Sequence, residues 1–521
     1  MTRVSGYVFD SSAPRWENHA AAMVQQAVAA GAPQSLNGSF SAVIDGAEGT
    51  DDPITLVTDR IGSRPVYYAR GSDGWVAGHD FWQVAGGAGR LQPDTSAAAE
   101  LLAFNFVLGA RTLLDGVFEA PAASIVRLGA GDPEIRPYWP ARPTVAKAGF
   151  SPREAAAELG EILQRVADRT AALARSRTSE SIGLALSGGR DSRVVGWMLR
   201  SRGIDLECFT TTALGEANDT VRTVAAALGS SLRLLQPWYA CGSEPTEEMV
   251  RSVCPTTMYG VANHTLTLAT DARARALPLH IAGHLGDMLA GNYIDARSLV
   301  AAPRGADRSV DLVWSKHGRV GLDQIDAIAG AGASEDVLER LRGVLDTGQG
   351  VLADERRFIL DQRQRRFILR DYAASQHLGT TFMPLMDSEW LDFWQRVPNR
   401  WLTGTAVYER AVADHVLVGE WKGLAQLPAN GRAIGAFANR HSSTVIATDF
   451  VKKARRQVAL RAGRADAVLS QQQPWDEVAR DAAEVIDVCA AERMWPRLGW
   501  DGQRSVLTIG RFVREWKNLA R

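Results

Sequence analysis

The spacing of apolar and polar positions divides the chain into two parts. Up to residue 145, short runs of alternating apolar and polar residues are separated by Gly, Asp and Pro, a pattern typical of β-strands joined by turns. The pattern predicts a helix at residues 16–30 and strands at residues 6–9, 40–44, 54–58, 65–69, 75–78 and 123–128. We therefore expect the first part to be a β-rich domain.

The second part begins after the stretch 140–151, which contains Pro140, Pro143 and Gly149. A long amphipathic helix is predicted at residues 152–174, and strands and helices then alternate. The predicted strands are residues 182–186, 206–211, 232–236 and 279–282, with a helix at 219–228. This alternation predicts a doubly wound parallel sheet, in which ligands bind outside the carboxyl ends of the strands. We expect an α/β protein with two domains, residues 1–145 and 150–521, the second ending in a helical part.

Composition and charge narrow the class of protein. The chain has 521 residues, too many for one hydrophobic core, and is 46% hydrophobic and 22% charged. Its net charge of −1 argues against a broad nucleic-acid-binding surface. The four cysteines show neither metal-ligand spacing nor the density of a disulfide framework, and no apolar run has the length of a signal peptide or membrane span. These features favour a cytoplasmic protein without nucleic-acid or membrane partners.

The most informative run is Leu-Ser-Gly-Gly-Arg-Asp-Ser at residues 186–192, between a predicted strand and a predicted helix. Its glycines allow the backbone to approach an anion, and the start of the helix directs unpaired N–H groups and a positive dipole end toward that anion. A carboxylate such as Asp191 is repelled by bound phosphates unless a cation lies between them. We interpret the run as a magnesium–pyrophosphate site for ATP. The alternative is an ordinary Gly-rich turn with a fortuitous aspartate.

The run Ser-Gly-Gly-x-Asp-Ser also resembles the pyrophosphate loop of the ATP pyrophosphatases. These enzymes split ATP between the α and β phosphates and transfer AMP to a substrate oxygen. Further segments, in order, resemble the amidotransferase domain at the front of asparagine synthetases: 38–40, 58–68, 106–109, 111–113 and 138–139. The resemblance therefore covers both halves. It implies a degenerate N-terminal-nucleophile domain of αββα type, followed by an ATP-pyrophosphatase domain.

A second loop carries further residues of the implied site. Residues 282–293 resemble the Ser-Gly-Glu-Gly-Ala-Asp-Glu segment of that superfamily, which places Asp287 beside Asp191 as a magnesium ligand. A Gly-rich turn with a capping aspartate is the alternative. The implied cofactors are ATP and Mg²⁺. The expected ATP- and pyrophosphate-binding residues are Leu186, Ser187, Gly188, Gly189, Asp191, Ser192, Thr211, Gly283 and Asp287.

The front half departs from the family at its nucleophile. A glutaminase of this type needs Cys directly after the initiator Met, and this chain has Thr2 followed by Arg3. Ser5 and Gly6 correspond to the family's Cys-Gly pair. Processing could expose Thr2 as a nucleophile, but the Gly that should follow it is missing. We therefore expect a scaffold without glutaminase activity.

The second half departs at two positions. His284 stands where family members often have a glutamate, and it could deprotonate an attacking amine. A single His in a loop is also typical of a hydrogen-bonded or surface residue, so both interpretations stay open. Ala406 replaces the lysine that covers the pyrophosphate, and Arg410, Arg400 or Lys422 would supply the positive charge instead. The candidate catalytic residues are His284, Tyr408 and Arg410.

The remaining stretches carry no motif. Residues 297–355 contain Gly- and Ala-rich turns, and residues 356–375 contain six arginines. The arginines favour a solvated helix or internal salt bridges over a substrate-facing patch. The charge run at residues 452–456 is interpreted as solvated.

Together these features predict an AMP-forming carbon–nitrogen ligase. It would adenylate a small-molecule or peptide carboxylate for attack by an amine or ammonia, in β-lactam or macrolactam ring closure or in another specialised amidation. Asparagine-type synthesis from ammonia is an alternative, and so is a nucleotide-binding pseudoenzyme. A thiolation or tRNA-modifying enzyme is disfavoured because neither a catalytic cysteine nor a basic face is evident. A carrier or leader-peptide-binding protein is a possible partner.

Overall fold

The computed structural model describes residues 1–12, 19–46, 52–89, 91–139, 151–211, 219–236, 251–253, 255–258, 263–301, 308–345, 347–373, 380–427 and 481–519. The predicted boundary at 140–150 and the charge run at 452–456 lie outside these residues. The described strands are β1 (Thr2–Phe9), β2 (Asn37–Ile44), β3 (Ile54–Thr58), β4 (Tyr67–Gly71), β5 (Gly74–Gly78), β6 (Val117–Glu119), β7 (Ser124–Leu128), β8 (Glu134–Pro137), β9 (Ile182–Ala185), β10 (Leu206–Thr211), β11 (Ser231–Leu235), β12 (Leu279–Ile281) and β13 (Thr380–Phe382).

Helices flank these strands. The first are α1 (Ala20–Ala29), α2 (Phe81–Ala88), α3 (Thr95–Phe104), α4 (Pro152–Arg177), α5 (Arg190–Arg200) and α6 (Asp219–Ala227). Later helices span Asn263–Thr270, Ala272–Ala276, Gly286–Leu289, Ala296–Ala301, Ser309–His317, Leu322–Ala329, Ala333–Leu345, Val351–Arg357, Arg370–Ala373, Ser388–Arg396, Ala406–Ala411, Lys422–Gln426 and Val488–Leu519, with a π-helical segment at Phe358–Ile368. Among the described residues, no helix has the length and apolarity that a bilayer crossing requires.

The front half consists of two antiparallel sheets with helices outside them. One sheet has the order β1-β2-β3-β7-β8, and the other has the order β5-β4-β6. Successive side chains of β2 point to opposite faces of its sheet. Val43 therefore packs between the two sheets, whereas Phe40 and Ala42 pack against α1. Helix α2 packs on β4 and β5 at the other side. The layers therefore follow the order helix, sheet, sheet, helix.

The second half is built on a parallel sheet with the order β11-β10-β9-β12-β13. Chain order runs outward from β9 through β10 to β11, and β12 then pairs with the other side of β9. The strand order therefore reverses between β9 and β12. Together with the antiparallel sheets, this confirms the predicted α/β class.

Helix α4 illustrates how the sequence specifies an element locally. Ser151 and Glu154 form a capping box, in which Glu154 accepts a hydrogen bond from the Ser151 N–H at 2.8 Å and Ser151 accepts one from the Glu154 N–H at 3.3 Å. Pro152 occupies the first turn, where the missing N–H costs nothing. The helix then buries Leu159 and Leu163 on its apolar face.

The arginine-rich segment forms buried ion pairs across the two halves. Arg365, Arg366 and Arg370 lie 2.8, 2.9 and 2.6 Å from the carboxylate of Glu119 on β6, and each is 5% exposed or less. Burial alone would raise the pKa of the Glu119 carboxyl, but Arg366, Arg370 and Arg365 lower it to about 2. For these three arginines the expectation of internal salt bridges is confirmed, and that of a solvated helix is wrong.

Candidate active site

Two loops meet where the strand order of the parallel sheet reverses. β9 ends at Ala185 and leads through residues 186–189 into α5, and β12 ends at Ile281 and leads through residues 282–285 into a short helix. Because β9 and β12 are paired in parallel, both loops lie at the same edge of the sheet. Ligands of open parallel sheets bind in the crevice at such a point.

The loops are joined through Asp191. Its two carboxylate oxygens accept hydrogen bonds from the backbone N–H of Asp287 at 2.9 and 3.0 Å. A Cβ on Gly286 would overlap this carboxylate, so the close approach requires glycine. The Asp287 carboxylate accepts a hydrogen bond from Asn292 Nδ2 at 2.7 Å. The two predicted metal ligands are therefore brought together.

In the first loop, the start of helix α5 has no side-chain cap. Gly188 has a φ of 70°, and Gly189, the N-cap of α5, makes no side-chain capping hydrogen bond. The Ser187 hydroxyl accepts a hydrogen bond from the Gly189 N–H at 3.2 Å and lies 3.3 Å from the Ser192 hydroxyl. Backbone N–H groups and hydroxyls are thus grouped at the positive end of the α5 dipole, an arrangement suited to an anion.

Residues at the carboxyl edge of neighbouring strands complete this side of the crevice. Leu186 is buried, and its N–H donates to the carbonyl of Phe209 on β10 at 2.8 Å. Thr211 is the last residue of β10 and is exposed. Gly283 packs against the start of α5, because a Cβ on it would lie 2.9 Å from the backbone carbon of Asp191.

Two arginines that the sequence analysis did not single out attach the first loop to residues 406–427. Arg193 is fully buried and donates to the carbonyls of Gly188 at 2.7 Å and Leu427 at 2.7 Å. Arg190 pairs with Glu409 at 2.5 Å and donates to the carbonyl of Ala425 at 2.9 Å. In the sequence, Arg193 directly precedes the apolar run at residues 194–199. This position was the available signal for a buried arginine.

Tyr408 contacts the same site. It is fully buried, and its ring stacks edge-on against Trp390 with centroids 5.6 Å apart. Burial raises the pKa of its hydroxyl well above 10, and the negative charges of Asp191 and Asp287 raise it further. The Tyr408 hydroxyl is therefore protonated at neutral pH, and the charges of both carboxylates act on it.

His284, in the second loop, is hydrogen-bonded to a tyrosine that the sequence analysis missed. The Tyr372 hydroxyl lies 2.6 Å from His284 Nδ1, and the two rings are 4.6 Å apart at 71°. Burial raises the pKa of Tyr372 well above 10, so its hydroxyl is protonated. Of the two interpretations of His284, the hydrogen-bonded one describes its geometry, and its catalytic role stays a prediction.

The three expected replacements for the missing lysine have exposed side chains. Arg410 is half exposed, and its Nε lies 3.9 Å from Asp414 on the following turn. Arg400 lies over the ring of Trp401, and Lys422 and Ala406 are exposed. Among the hydrogen bonds and ion pairs of the described residues, none joins Arg410, Arg400 or Lys422 to either loop. The cations that join the first loop to residues 406–427 are Arg190 and Arg193.

The carboxylates of Asp191 and Asp287 are compatible with bound Mg²⁺. Within the described part of the chain, no group of three or more His, Cys, Asp or Glu side chains is arranged to hold a metal ion. Two aspartates alone fit Mg²⁺, which keeps several waters and binds through one or two carboxylates together with substrate phosphates.

A cavity of about 380 Å³ lies between the two halves at a different place. Its lining includes Arg60, Trp139, Arg356 and Leu360 and none of the predicted site residues.

Comparisons with known proteins add no assignment. No family model matches the chain, and a search of curated proteins finds no significant match.

Proposed function

We propose that this protein is an ATP-dependent amide-bond synthetase of the asparagine synthetase type, which forms AMP and pyrophosphate. The observation that supports this most is the meeting of Asp191 and Asp287 where the strand order reverses. Carboxylates beside a helix N-terminus suit a magnesium pyrophosphate better than a bare phosphate, because the cation removes the repulsion.

In this proposal each part of the crevice has a role. Residues 187–192 hold the β and γ phosphates through hydroxyls and N–H groups. Leu186 and Thr211, at the edge of β9 and β10, lie beside the adenine. Asp191 and Asp287 would hold Mg²⁺, which neutralises charge on the departing pyrophosphate.

Arg190 takes the part that the resemblance assigns to a lysine at position 406. It is the second residue of the Gly-Arg-Asp run, and it is 11% exposed with its Nη2 on Glu409. A guanidinium neutralises pyrophosphate well but donates no proton to it. Arg410, half exposed and next to Asp414, is not proposed for this role.

The reaction proceeds in two steps. A carboxylate oxygen of the substrate attacks the α-phosphorus of ATP, and pyrophosphate leaves. The amine nitrogen then attacks the acyl carbon of the adenylate, and AMP leaves with the electron pair of the broken C–O bond. His284 accepts the proton of the amine, and the Tyr372 hydroxyl holds the imidazole ring in place.

The nitrogen comes from an amine or ammonia. The helix–sheet–sheet–helix layers of residues 1–139 support a degenerate N-terminal-nucleophile domain, but Thr2 and Ser5 lie inside β1, paired with Ile44 and Ser41. Because residues 1–139 contain no cysteine, this domain lacks the thiol nucleophile that would release ammonia from glutamine. Ring closure or another specialised amidation is therefore favoured over glutamine-dependent asparagine synthesis, with asparagine-type synthesis from ammonia as the alternative.

Hydroxylamine trapping tests the amide chemistry. The full chain is incubated with magnesium ATP, hydroxylamine and separate pools of amino acids, short peptides and uronic acids, and hydroxamates are identified by mass. We expect one pool to yield a hydroxamate, and the Asp191→Asn protein to yield none. The hydroxylamine is then replaced by ammonium, by glutamine or by nothing, and an amide formed with nothing added identifies ring closure. Hydroxamate from every pool equally, or in the Asp191→Asn protein, contradicts the proposal.

A further inference from the structure

Arg64 of the front half reaches into the candidate active site of the second half. It follows β3, is 7% exposed, and its Nη1 donates to the backbone carbonyl of Tyr372 at 2.8 Å. The two residues are 308 positions apart in the chain. The Tyr372 hydroxyl in turn contacts His284, so Tyr372 links Arg64 of the front half to the second loop.

A buried polar network holds Arg64 from behind. Its Nε donates to the Ser39 hydroxyl at 3.2 Å, and Ser39 lies 2.6 Å from the Ser63 hydroxyl. Ser63 donates to the Asp59 carboxylate at 2.5 Å, and Asp59 also accepts from the N–H of Phe40 at 2.9 Å. Because its neighbours are fixed in this way, the guanidinium has little freedom to leave the Tyr372 carbonyl.

The same arginine covers Gly6, the residue that corresponds to the glycine after the family's nucleophile. Its Cγ lies 3.2 Å from the position that a Cβ on Gly6 would take.

Tyr372 lies in the helical turn Arg370–Ala373, which follows the π-helical segment Phe358–Ile368. Asp371 is held from the second half, since its carboxylate accepts from the Thr265 N–H at 2.9 Å and its carbonyl accepts from the Thr265 hydroxyl at 2.6 Å. From the front half, Arg64 holds the Tyr372 carbonyl, and Glu119 holds Arg370 of the same turn at 2.6 Å. The position of the Tyr372 hydroxyl therefore depends on both halves.

We propose that Arg64 is a positioning residue that fixes the Tyr372–His284 pair, so that the front half, without glutaminase chemistry, is a working part of the synthetase site. The catalytic meaning of this pair rests on the proposed function, whereas the positioning itself does not. The test therefore uses a readout that needs no substrate.

The readout is the rate at which diethyl pyrocarbonate modifies His284 in the full chain, followed by peptide mass spectrometry with the other histidines as internal references. We expect Arg64→Met and Tyr372→Phe each to raise the rate at His284 by about fivefold, the change expected for loss of one hydrogen bond. Arg64→Lys, which keeps a donor for the carbonyl, should stay near the rate of the unmodified sequence.

Arg60 provides a matched control. It lies in the same loop, is 8% exposed, and also crosses to the second half, where it pairs with Asp392 at 3.1 Å. Arg60→Met should leave the rate at His284 unchanged. An equal increase in Arg60→Met would mean that the halves merely loosen, and no increase in Arg64→Met would mean that Tyr372 needs no anchor; either result overturns the proposal. Should Arg64→Met fail to fold, Arg64→Gln, too short to reach Tyr372, replaces it with the same expectation.

A second readout connects the inference to the reaction. With the carboxylate found by hydroxylamine trapping, Arg64→Met should slow amide formation while ATP–pyrophosphate exchange, which reports adenylation alone, stays within about twofold. If no pool gives AMP but His284 reactivity changes as expected, the proposed function fails and the positioning role stands.

Discussion

Asp191 and Asp287 are 96 residues apart in the chain, yet the backbone N–H of Asp287 lies on the carboxylate of Asp191. Each was identifiable from the sequence because each follows a predicted strand within a Gly-containing loop. The order in which the strands assemble then brings them together. Site residues that follow strand ends are in this sense predictable from a sequence.

Asp191→Asn and Asp287→Asn should each lower AMP formation by at least about 100-fold, because an amide is a poor ligand for Mg²⁺. Loss of the cation would leave the charge of the departing pyrophosphate without neutralisation. The rate is measured with the carboxylate that hydroxylamine trapping identifies. Asp205→Asn serves as a control, since Asp205 is 80% exposed and only pairs with Arg200. Retention of activity in both loop variants would contradict the assignment of the carboxylates.

Glu119 allows a prediction on stability and pH. Its pKa is lowered from the ordinary value of 4.5 to about 2, so its stabilising contribution is present above pH 4.5 and is lost as the pH falls toward 2. Glu119→Gln leaves three buried arginines without their carboxylate, and should lower the free energy of unfolding at pH 7 by about 3 to 5 kcal/mol.

Urea unfolding at pH 7 and at pH 2 checks this prediction, and the difference between the two proteins should shrink at the lower pH. Glu158→Gln, which breaks the half-exposed pair with Arg396, should cost less than about 1 kcal/mol. Equal costs for the two substitutions would show that the buried cluster is not the stronger one.

At the scale of helices and strands, local pattern predicted four of the five strands of the parallel sheet to within one residue at each end, and β13 was not predicted. Predicted strand 206–211 matches β10, and predicted strand 279–282 matches β12 except for its last residue. In the front half, β1 begins at Thr2 rather than at residue 6, because its pairing with β2 continues as far as the pair Thr2 and Ile44. Register, which depends on a partner strand, is not visible in one strand's own pattern.

Other elements were missed because tertiary packing rather than periodicity specifies them. Helix α3 is buried along nearly its whole length, so it has no polar face to give a helical period. Residues 297–355, for which no element was predicted, contain several short helices such as Leu322–Ala329 and Ala333–Leu345. Short helices divided by glycines give little signal by themselves.

The close packing of the two loops gives a prediction at this scale. Gly286→Ala places a methyl group where the Asp191 carboxylate lies, and should therefore separate the loops and abolish AMP formation while the protein stays folded. Gly343→Ala is the matched control, because a Cβ there meets no atom within 4 Å and lies in a helix. It should keep activity and raise the free energy of unfolding by up to about 1 kcal/mol. Activity in Gly286→Ala would show that the contact is not needed.

At the scale of the whole molecule, the contacts between the halves could not be predicted. Arg64 with Tyr372 and Glu119 with Arg365 join positions 308 and 246 residues apart, and neither pair follows a strand end of the parallel sheet. The sequence signal for the second pair was only an arginine-rich run. Three arginines of this run are buried around Glu119 on β6, and Arg356 is buried against the carbonyl of Trp394.

The absence of any cysteine before Cys208 gives a prediction on glutaminase activity. With glutamine as the sole nitrogen donor, we expect no release of glutamate above a protein-free blank, because no nucleophile is available for the amide. Ammonium or the substrate's own amine should support amide formation instead. Glutamate release that depends on the protein would show that the front half is an active glutaminase.

The most direct test of the central claim is the position at which ATP is split. The protein is incubated with magnesium ATP and the pools of amino acids, peptides and uronic acids, with and without ammonium, and AMP is separated from ADP. We predict AMP and pyrophosphate with one pool and neither product in the Asp191→Asn protein. ADP and phosphate as products, or AMP that persists in Asp191→Asn, would contradict the account.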